Sequence, residues 1–575
     1  MHSGPPVGNH QVARNRIASM AASDEFRQYL VDLLVEIGRL DTSIQADVAA
    51  LRRAETAVFD VLQRELTVYR LPSARLERRP IDGRIAEHPF FSQLYYTQTS
   101  DHPQGLSVAQ AYQGRANLLL LVDGDRHQPG GLDQAINVHV DVIAPFIPPR
   151  VEGDTVFGRG ACDDKGNVVA LMGGLKLVAA GLQEAGMRLN RDLTSMFVID
   201  EEMGGNGSLS LAIDGGLKAR YQSLMVLEVC GGNVYPGNRG CVWYKVEGEL
   251  VGANLFEAAA FVIEEMEHLG RALRAESDHP LFPHRPVQTC HGIIGHCGQH
   301  PSRINSRVAF DIVFDGGAAP RCHQLVEDIL QSALNEYTGL YGDKTRPGPW
   351  GAAKVDRHYD LVPGPGGLTV TVYGSAAHMG AISVNDGAIT KMMALVRGLV
   401  RSRAALASAA GASRVALAQH GWPDPARLVL EGGQGFVPTH EMQQVMDRIR
   451  AAVWSGADYY FRLTGQRADA ADVFQVTYDK LHNAAFAGRA DSCSMRSAIA
   501  AATAAGLRPE LPPRGWDVSC DARIFAGEYP TMDVITTGAG SLALAHSDDE
   551  QIGSHELTRC AEFLAYFILQ QTGSS

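Results

Sequence analysis

The stretch SMFVIDEEMGGNGS, Ser195–Ser208, drives an apolar run into three consecutive acids, Asp200, Glu201 and Glu202, and then into a glycine-rich turn. A short apolar run bounded by turn residues reads as a buried strand. In regular β geometry successive side chains face opposite ways, so Glu201 and Glu202 are expected to divide two tasks at the strand end. The glycines after them permit a tight turn and a close approach to a ligand. Asp200 has no role legible in the sequence.

The same alternation surrounds this strand. NLLLLV, AINVHVDVIA, LTSMFVID and SLMVLEV read as strands, and GNVVALMGGLKLVAAGL and GSLSLAIDGG as helices between them. Strands alternating with helices imply a mostly parallel sheet covered on both faces. Ligands of such sheets bind beyond the carboxyl ends of the strands, and this chain's polar residues collect there. Two amphipathic helices, DEFRQYLVDLLVEIGRLD and IQADVAALRRAETAVFDVLQREL, precede the sheet.

From about Cys241 the pattern changes to strand, helix, strand, strand, helix, and a similar series follows from LTVTVYGSAAHMG. Matching element order suggests an internally duplicated α+β unit. Strand and helix patterns of the first kind return from about Asp491.

At 575 residues the chain exceeds the ~250–300 residues at which a single core stops growing, so more than one domain is expected. A net charge of −13 argues against nucleic acid as a partner, because phosphate binding needs a basic footprint. No apolar run reads as the ~18 residues of a membrane span, and a soluble protein is expected. Residues 1–23 lack the apolar core of a secretory signal, carry arginines without acids in the manner of a transit peptide, and are read as a mobile tail. Nine cysteines without a regular framework suit a reducing compartment, and the cytoplasm is the expected location. The cluster Cys290, His291, His296, Cys297 and His300 fits no usual zinc spacing and is not expected to hold a metal.

Strand ends and loops supply the candidate ligands: His139 with Asp141 two residues on, Asp163 and Asp164 in GRGACDDKG, Glu201 and Glu202, Glu228 in VLEVCGG, and His546 in GSLALAHSDDE. Singly, each acid could cap a helix and each histidine could be an ordinary hydrogen-bonding one. Together, two histidines and three carboxylates, with another to spare, fit two divalent ions sharing a bridging carboxylate. Zn2+ is favoured on ligand type, with Mn2+ or Co2+ as alternatives.

In order and spacing, VHVDVIAP, FGRGACDDKGNVVA, IDEEMGGNGS and GAGSLALAHSDDEQI resemble the two-metal peptidase and deacylase family of aminoacylase, acetylornithine deacetylase, succinyl-diaminopimelate desuccinylase, carboxypeptidase G, carnosinase and dipeptidase V. The resemblance implies an α/β catalytic domain over 24–240 and 485–575, with an inserted α+β lid over 241–484 made of two similar units. It assigns His139 and Glu228 to one metal, Glu202 and His546 to the other, and Asp163 as the bridge, with a cis peptide from Asp163 to Asp164. Glu201 would be the general base acting on a metal-bridged water, and Asp141 would orient His139. His378, in VYGSAAHMGAISVNDGAI, matches the lid histidine that polarises the substrate carbonyl. It lies in the second lid series rather than the first, as a doubled lid acting in cis would place it; the oligomeric state stays open between a monomer and a homodimer. Asn305 and Arg523 are candidates for the substrate carboxylate, although Val313 stands where a lid arginine is common, and an ion pair of Arg523 with Asp521 or Glu528 competes.

The expected function is hydrolysis of an amide in an N-acyl amino acid or short peptide. A dipeptidase with a pseudo-dimeric lid, a hydrolase of a non-peptide amide and a non-catalytic binding protein on the same fold are the alternatives.

Overall fold

The computed structural model describes residues 7–126, 130–298, 300–315, 322–364, 367–422, 424–478 and 482–573. The chain forms two compact units, Met1–Gly240 with His279–His284 and Lys480–Ser575, and Cys241–Asp278 with Arg285–Asp479.

The first unit is built on a seven-stranded sheet of β1 (Ala74–Pro80), β2 (Ala116–Val122), β3 (Gln134–His139), β4 (Leu193–Val198), β5 (Ser223–Leu227), β6 (Val234–Tyr235) and β7 (Asp533–Thr537), in the order β1-β2-β4-β3-β5-β7-β6. The four central strands, β4, β3, β5 and β7, run parallel, and β1, β2 and β6 pair antiparallel at the edges. The sheet is therefore parallel where the candidate ligands lie and mixed overall. Every residue of β3, β4 and β5 is buried, which is why these strands read as continuous apolar runs rather than alternating ones.

Helices α1 (Val7–Ala21), α2 (Asp24–Gly38), α3 (Val48–Tyr69), α4 (Lys165–Ala185) and, at the end of the chain, α5 (Ser554–Thr572) pack together on the sheet. The stretch expected to be a mobile tail is instead largely helix α1; residues 1–6 lie outside the described residues. Its small apolar stripe, Ala13, Ile17 and Ala21 at four-residue spacing, is buried against α4. Contrary to the sequence expectation, α4 is long and apolar enough to cross a membrane by length and composition, yet its most apolar window is 72% buried inside the protein. It is a core helix: a Cβ on Gly173 would meet Leu30 Cδ2 at 2.7 Å and Ala561 Cβ at 2.9 Å, so glycine there admits both α2 and α5.

The second unit holds two βαββαβ motifs, nested rather than consecutive. The outer one has strands Gly240–Glu249, Thr289–Ile294, Arg427–Phe436 and Phe474–Thr477 with helices Leu255–Glu276 and Met442–Thr464. The inner one, inserted between the second and third of those strands, has strands Arg307–Phe314, Tyr359–Gly364, Gly367–Tyr373 and Val415–Gln419 with helices His323–Tyr341 and Ala388–Arg401. In both, the second strand lies at one edge, followed by the third, the first and the fourth, the split arrangement of a ferredoxin-like motif. The two series read from element order thus cut across the real units, because strand pairing and not succession defines each sheet.

Candidate metal centre

The parallel register carries the site. His139 pairs with Val198 across β3 and β4, and Asn137 pairs with Val226 across β3 and β5. The strands therefore end together, and His139, the Asp200–Glu202 turn and Glu228 emerge at one edge of the sheet. Asp163 and Asp164 join them from the start of α4, and His546 from the loop after β7.

His139 Nε2 lies 3.3 Å from Asp163 Oδ1 and 3.8 Å from Glu228 Oε1. On the other side, His546 Nε2 lies 3.3 Å from Asp163 Oδ2 and 3.0 Å from Glu202 Oε1. The two oxygens of Asp163 thus face two different imidazoles. Among the described residues these form two metal-capable groups, His139 with Asp163, Asp164 and Glu228, and Asp163 with Glu202 and His546. All are buried, and His139 Nε2 has no aligned hydrogen bond. A buried imidazole nitrogen left over among carboxylate oxygens is the donor set a borderline divalent cation takes.

Burial pushes Glu201, Glu228 and Asp164 well above the usual carboxylate range. Burial acts the same way on Asp163, but the imidazoles beside it hold it below that range. Burial opposes charge on His546, yet Glu202 and Asp163 outweigh it and push the imidazole up to about 10.

Asp141 lies beside His139 as expected and has a second task as well. His139 Nδ1 meets the backbone carbonyl oxygen of Asp141 at 3.0 Å, with the carboxylate farther off at 3.5 Å. The carboxylate also accepts the backbone N–H groups of Glu201 (3.1 Å) and Glu202 (3.0 Å). Asp141 therefore ties the histidine and the glutamate pair together. The Asp163–Asp164 peptide is cis, and Asn167 Nδ2 donates to Asp164 Oδ1 at 2.6 Å.

Sequence reasoning missed the residues behind this shell. Glu550 Oε1 accepts the backbone N–H groups of Gly160, Cys162 and Asp163, and its Oε2 pairs with the buried Arg159 at 2.6 Å. Arg159 also donates to the Ser547 carbonyl at 3.0 Å. The pair thereby joins the loop of Asp163 to the loop of His546. Arg159 and Glu550 both stand inside motifs quoted above, GRGACDDKG and GSLALAHSDDE, but nothing local in the sequence pairs them.

Glu202 is buried, whereas Glu201 keeps part of its surface exposed. The turn after them passes close to the segment Ala522–Glu528: Gly205 has φ +77°, and a Cβ there would lie 2.1 Å from Asp521 Oδ1. Arg523 is buried and donates from Nη2 to the carbonyl oxygen of Gly204 at 2.8 Å, so it braces this turn. Of the two competing partners, Glu528 pairs with His88 at 3.0 Å, while the charge of the Asp521 carboxylate acts on Arg523.

In the second unit, the short strand Ala377–His378 pairs with Arg303–Ile304. The His378 ring accepts the backbone N–H of Gly380 at 3.0 Å. Asn305 donates to the Gly292 carbonyl at 2.6 Å. The Cys/His cluster is distributed among other partners: His291 Nδ1 lies 2.6 Å from the Tyr244 hydroxyl, and His300 Nδ1 lies 2.7 Å from the Ser302 hydroxyl.

The sheet, its strand-end ligands and the inserted α+β unit define a metallopeptidase-type fold. The chain belongs to Peptidase family M20/M25/M40, whose pattern matches residues 135–570. It is 36% identical over 124 residues to carboxypeptidase G2 of a Pseudomonas species, covering 20% of this chain and 26% of that protein. It is 39% identical over 75 residues to a peptidase M20 domain-containing protein of Schizosaccharomyces pombe, covering 13% of this chain and 18% of that one. The aligned stretches thus span about a quarter or less of these curated relatives. Over nearly the whole chain the fold resembles human carnosine dipeptidase 1, with a TM-score of 0.53, 12% identity and coverage of 98% of this chain and 99% of that one. The di-peptidase Dug1p of Saccharomyces cerevisiae gives a TM-score of 0.53 and 13% identity, with 98% of each chain covered.

Proposed function

We propose that this protein is a two-metal hydrolase of amide bonds, acting on an N-acyl amino acid or a short peptide. The observation that carries this reading is the shared aspartate: the two oxygens of Asp163 face two different histidines, His139 and His546, and each of these histidines also lies beside a glutamate, Glu228 or Glu202. His139 and Glu228 would hold one ion, Glu202 and His546 the other, with Asp163 between them. Zn2+ suits the nitrogen and oxygen donors, and Mn2+ or Co2+ would also fit. When bound, such ions lower the pKa of water and polarise a carbonyl oxygen.

The residues supply the remainder. Glu201, partly exposed beside the buried Glu202, takes a proton from the attacking water and returns it to the leaving nitrogen as the carbon–nitrogen bond breaks. Asp141 keeps Glu201 and Glu202 in register with His139. His378, carried over from the lid motif of the family, is proposed to stabilise the developing charge on the carbonyl oxygen. Membership of a peptidase family and the names of the relatives, a carboxypeptidase and two dipeptidases, support a substrate of amino-acid type. Nine cysteines, with no disulfide among the described residues, support a reducing, cytoplasmic setting.

The test is a hydrolysis panel of N-acetyl amino acids, dipeptides and non-peptide amides with metal-loaded protein. Turnover of the first two classes is expected. Cleavage confined to non-peptide amides would refute the substrate assignment, and no cleavage of any kind would refute the reaction.

A further inference from the structure

Asp200, the one acid of the opening stretch without a role, is completely buried and adopts a left-handed backbone with φ +63°. Non-glycine residues avoid that region, and aspartate and asparagine tolerate it best. Its consequence is local. In a regular strand successive N–H groups point to opposite sides, yet Glu201 and Glu202 both turn theirs to the two oxygens of Asp141. The reversal at Asp200 is what allows this.

A buried guanidinium holds the reversal. Arg115 Nη2 lies 2.5 Å from Asp200 Oδ1, and the same guanidinium meets Glu55 at 2.6 and 2.9 Å and the Tyr96 hydroxyl at 2.9 Å. The Tyr112 ring lies 5.1 Å from the guanidinium carbon. The far end of the turn is held by the same stretch of chain. Ser92 exchanges backbone hydrogen bonds with the Asn206 side chain at 3.0 and 2.8 Å, and Asn206 also donates to the Tyr112 hydroxyl at 3.0 Å. Glu55, Ser92, Tyr96, Tyr112 and Arg115 all precede residue 135, where the family match begins.

We propose that Arg115 and Asp200 are positioning residues: the segment ending at Arg115 clamps the 200–206 turn and so sets the direction in which Glu201 and Glu202 point. Resting on the proposed function, this assigns a task in the reaction to a part of the chain outside the family match. An isolated buried ion pair needs only its charges balanced, whereas a clamp also needs the bidentate fork and the left-handed backbone.

The experiment compares Asp200→Ala, Asp200→Asn and Arg115→Lys with wild type, each read for bound metal after chelator challenge, kcat, KM and Tm. Leu62→Ala, a core change on the helix that carries Glu55, controls for lost stability. Asp200→Ala is expected to lower kcat roughly 10²-fold, as an ångström of misplacement does, with KM little changed and with faster loss of one metal ion. Asp200→Asn, which keeps the acceptor and tolerates the backbone, should recover most of both. Leu62→Ala should lower Tm alone. The proposal is overturned if Asp200→Ala keeps kcat and both ions, if its losses match those of Leu62→Ala at equal Tm, or if Asp200→Asn gives no recovery. Should Asp200→Ala fail to fold, Arg115→Lys decides by the same readings, since it keeps the charge and removes the fork. Wild-type protein that binds no metal and cleaves no amide would bring down the proposed function and this inference with it; an active wild type with an inert clamp would bring down the inference alone.

Discussion

Replacing Glu550 by alanine tests how the loops of Asp163 and His546 are joined. The carboxylate and its partner Arg159 are both fully buried at the side chain. Glu550→Ala leaves the guanidinium without its counter-charge and the N–H groups of Gly160, Cys162 and Asp163 without their acceptor. Removing one member of a buried ion pair costs about 3–5 kcal/mol, and stranded amide donors put the effect towards the upper end. For a unit of this size the unfolding entropy converts that into a Tm lower by roughly 3–10 °C. Glu550→Gln keeps an acceptor for the amides and should cost less. Calorimetry of the metal-free proteins measures both shifts, and chelator challenge of the loaded proteins should show faster metal loss for Glu550→Ala. A Tm within about 1 °C of wild type, with unchanged metal retention, would refute the reasoning.

Glu201→Gln should lower kcat about 10²–10⁴-fold while metal analysis finds the ion content unchanged; lost metal would make Glu201 a ligand instead of a base. His378→Ala should lower kcat about 10²–10³-fold with metal content unchanged, and a rate near that of wild type would remove His378 from the reaction. In the second unit, Arg448 and His440 hold Glu276 down to about 2, against its usual 4.5. The bidentate contacts of Arg448, at 2.6 and 2.8 Å, join helix Leu255–Glu276 to helix Met442–Thr464. With a folded pKa below the unfolded one, this stabilisation is present in full above pH 4.5 and is lost as pH falls towards 2. Because the pair is half exposed, Glu276→Gln should cost only about 0.5–1 kcal/mol at pH 7. The gap from wild type in denaturant titrations should close in acid; a gap independent of pH would contradict the assignment.

The site was legible where chemistry and strand geometry coincide. Buried parallel strands must end in the same plane, so His139, Glu202 and Glu228 could be grouped from strand ends alone, and Asp163 and His546 from their loops. The groups that hold them were not legible. Arg115 finds Asp200 across 85 positions and Arg159 finds Glu550 across 391, and no local periodicity reports such pairings. Asp141 was legible as a partner of His139 from its place two residues on in the same predicted strand; its second task, holding the turn that arrives 60 positions later, was not. The first helix escaped because Ala13, Ile17 and Ala21 make a thin apolar stripe among arginines and asparagines. The nested lid escaped because βαββα followed by βαβα can be divided in two ways, and only hydrogen-bonded order chooses between them.

The central claim is that two ions share Asp163. Crystals grown with Zn2+ and measured for anomalous scattering test it directly. The account predicts two peaks flanking Asp163, one bound by His139 and Glu228 and the other by Glu202 and His546, with ligand distances of about 2.0–2.2 Å. A single peak, or zinc bound without Asp163, would contradict it.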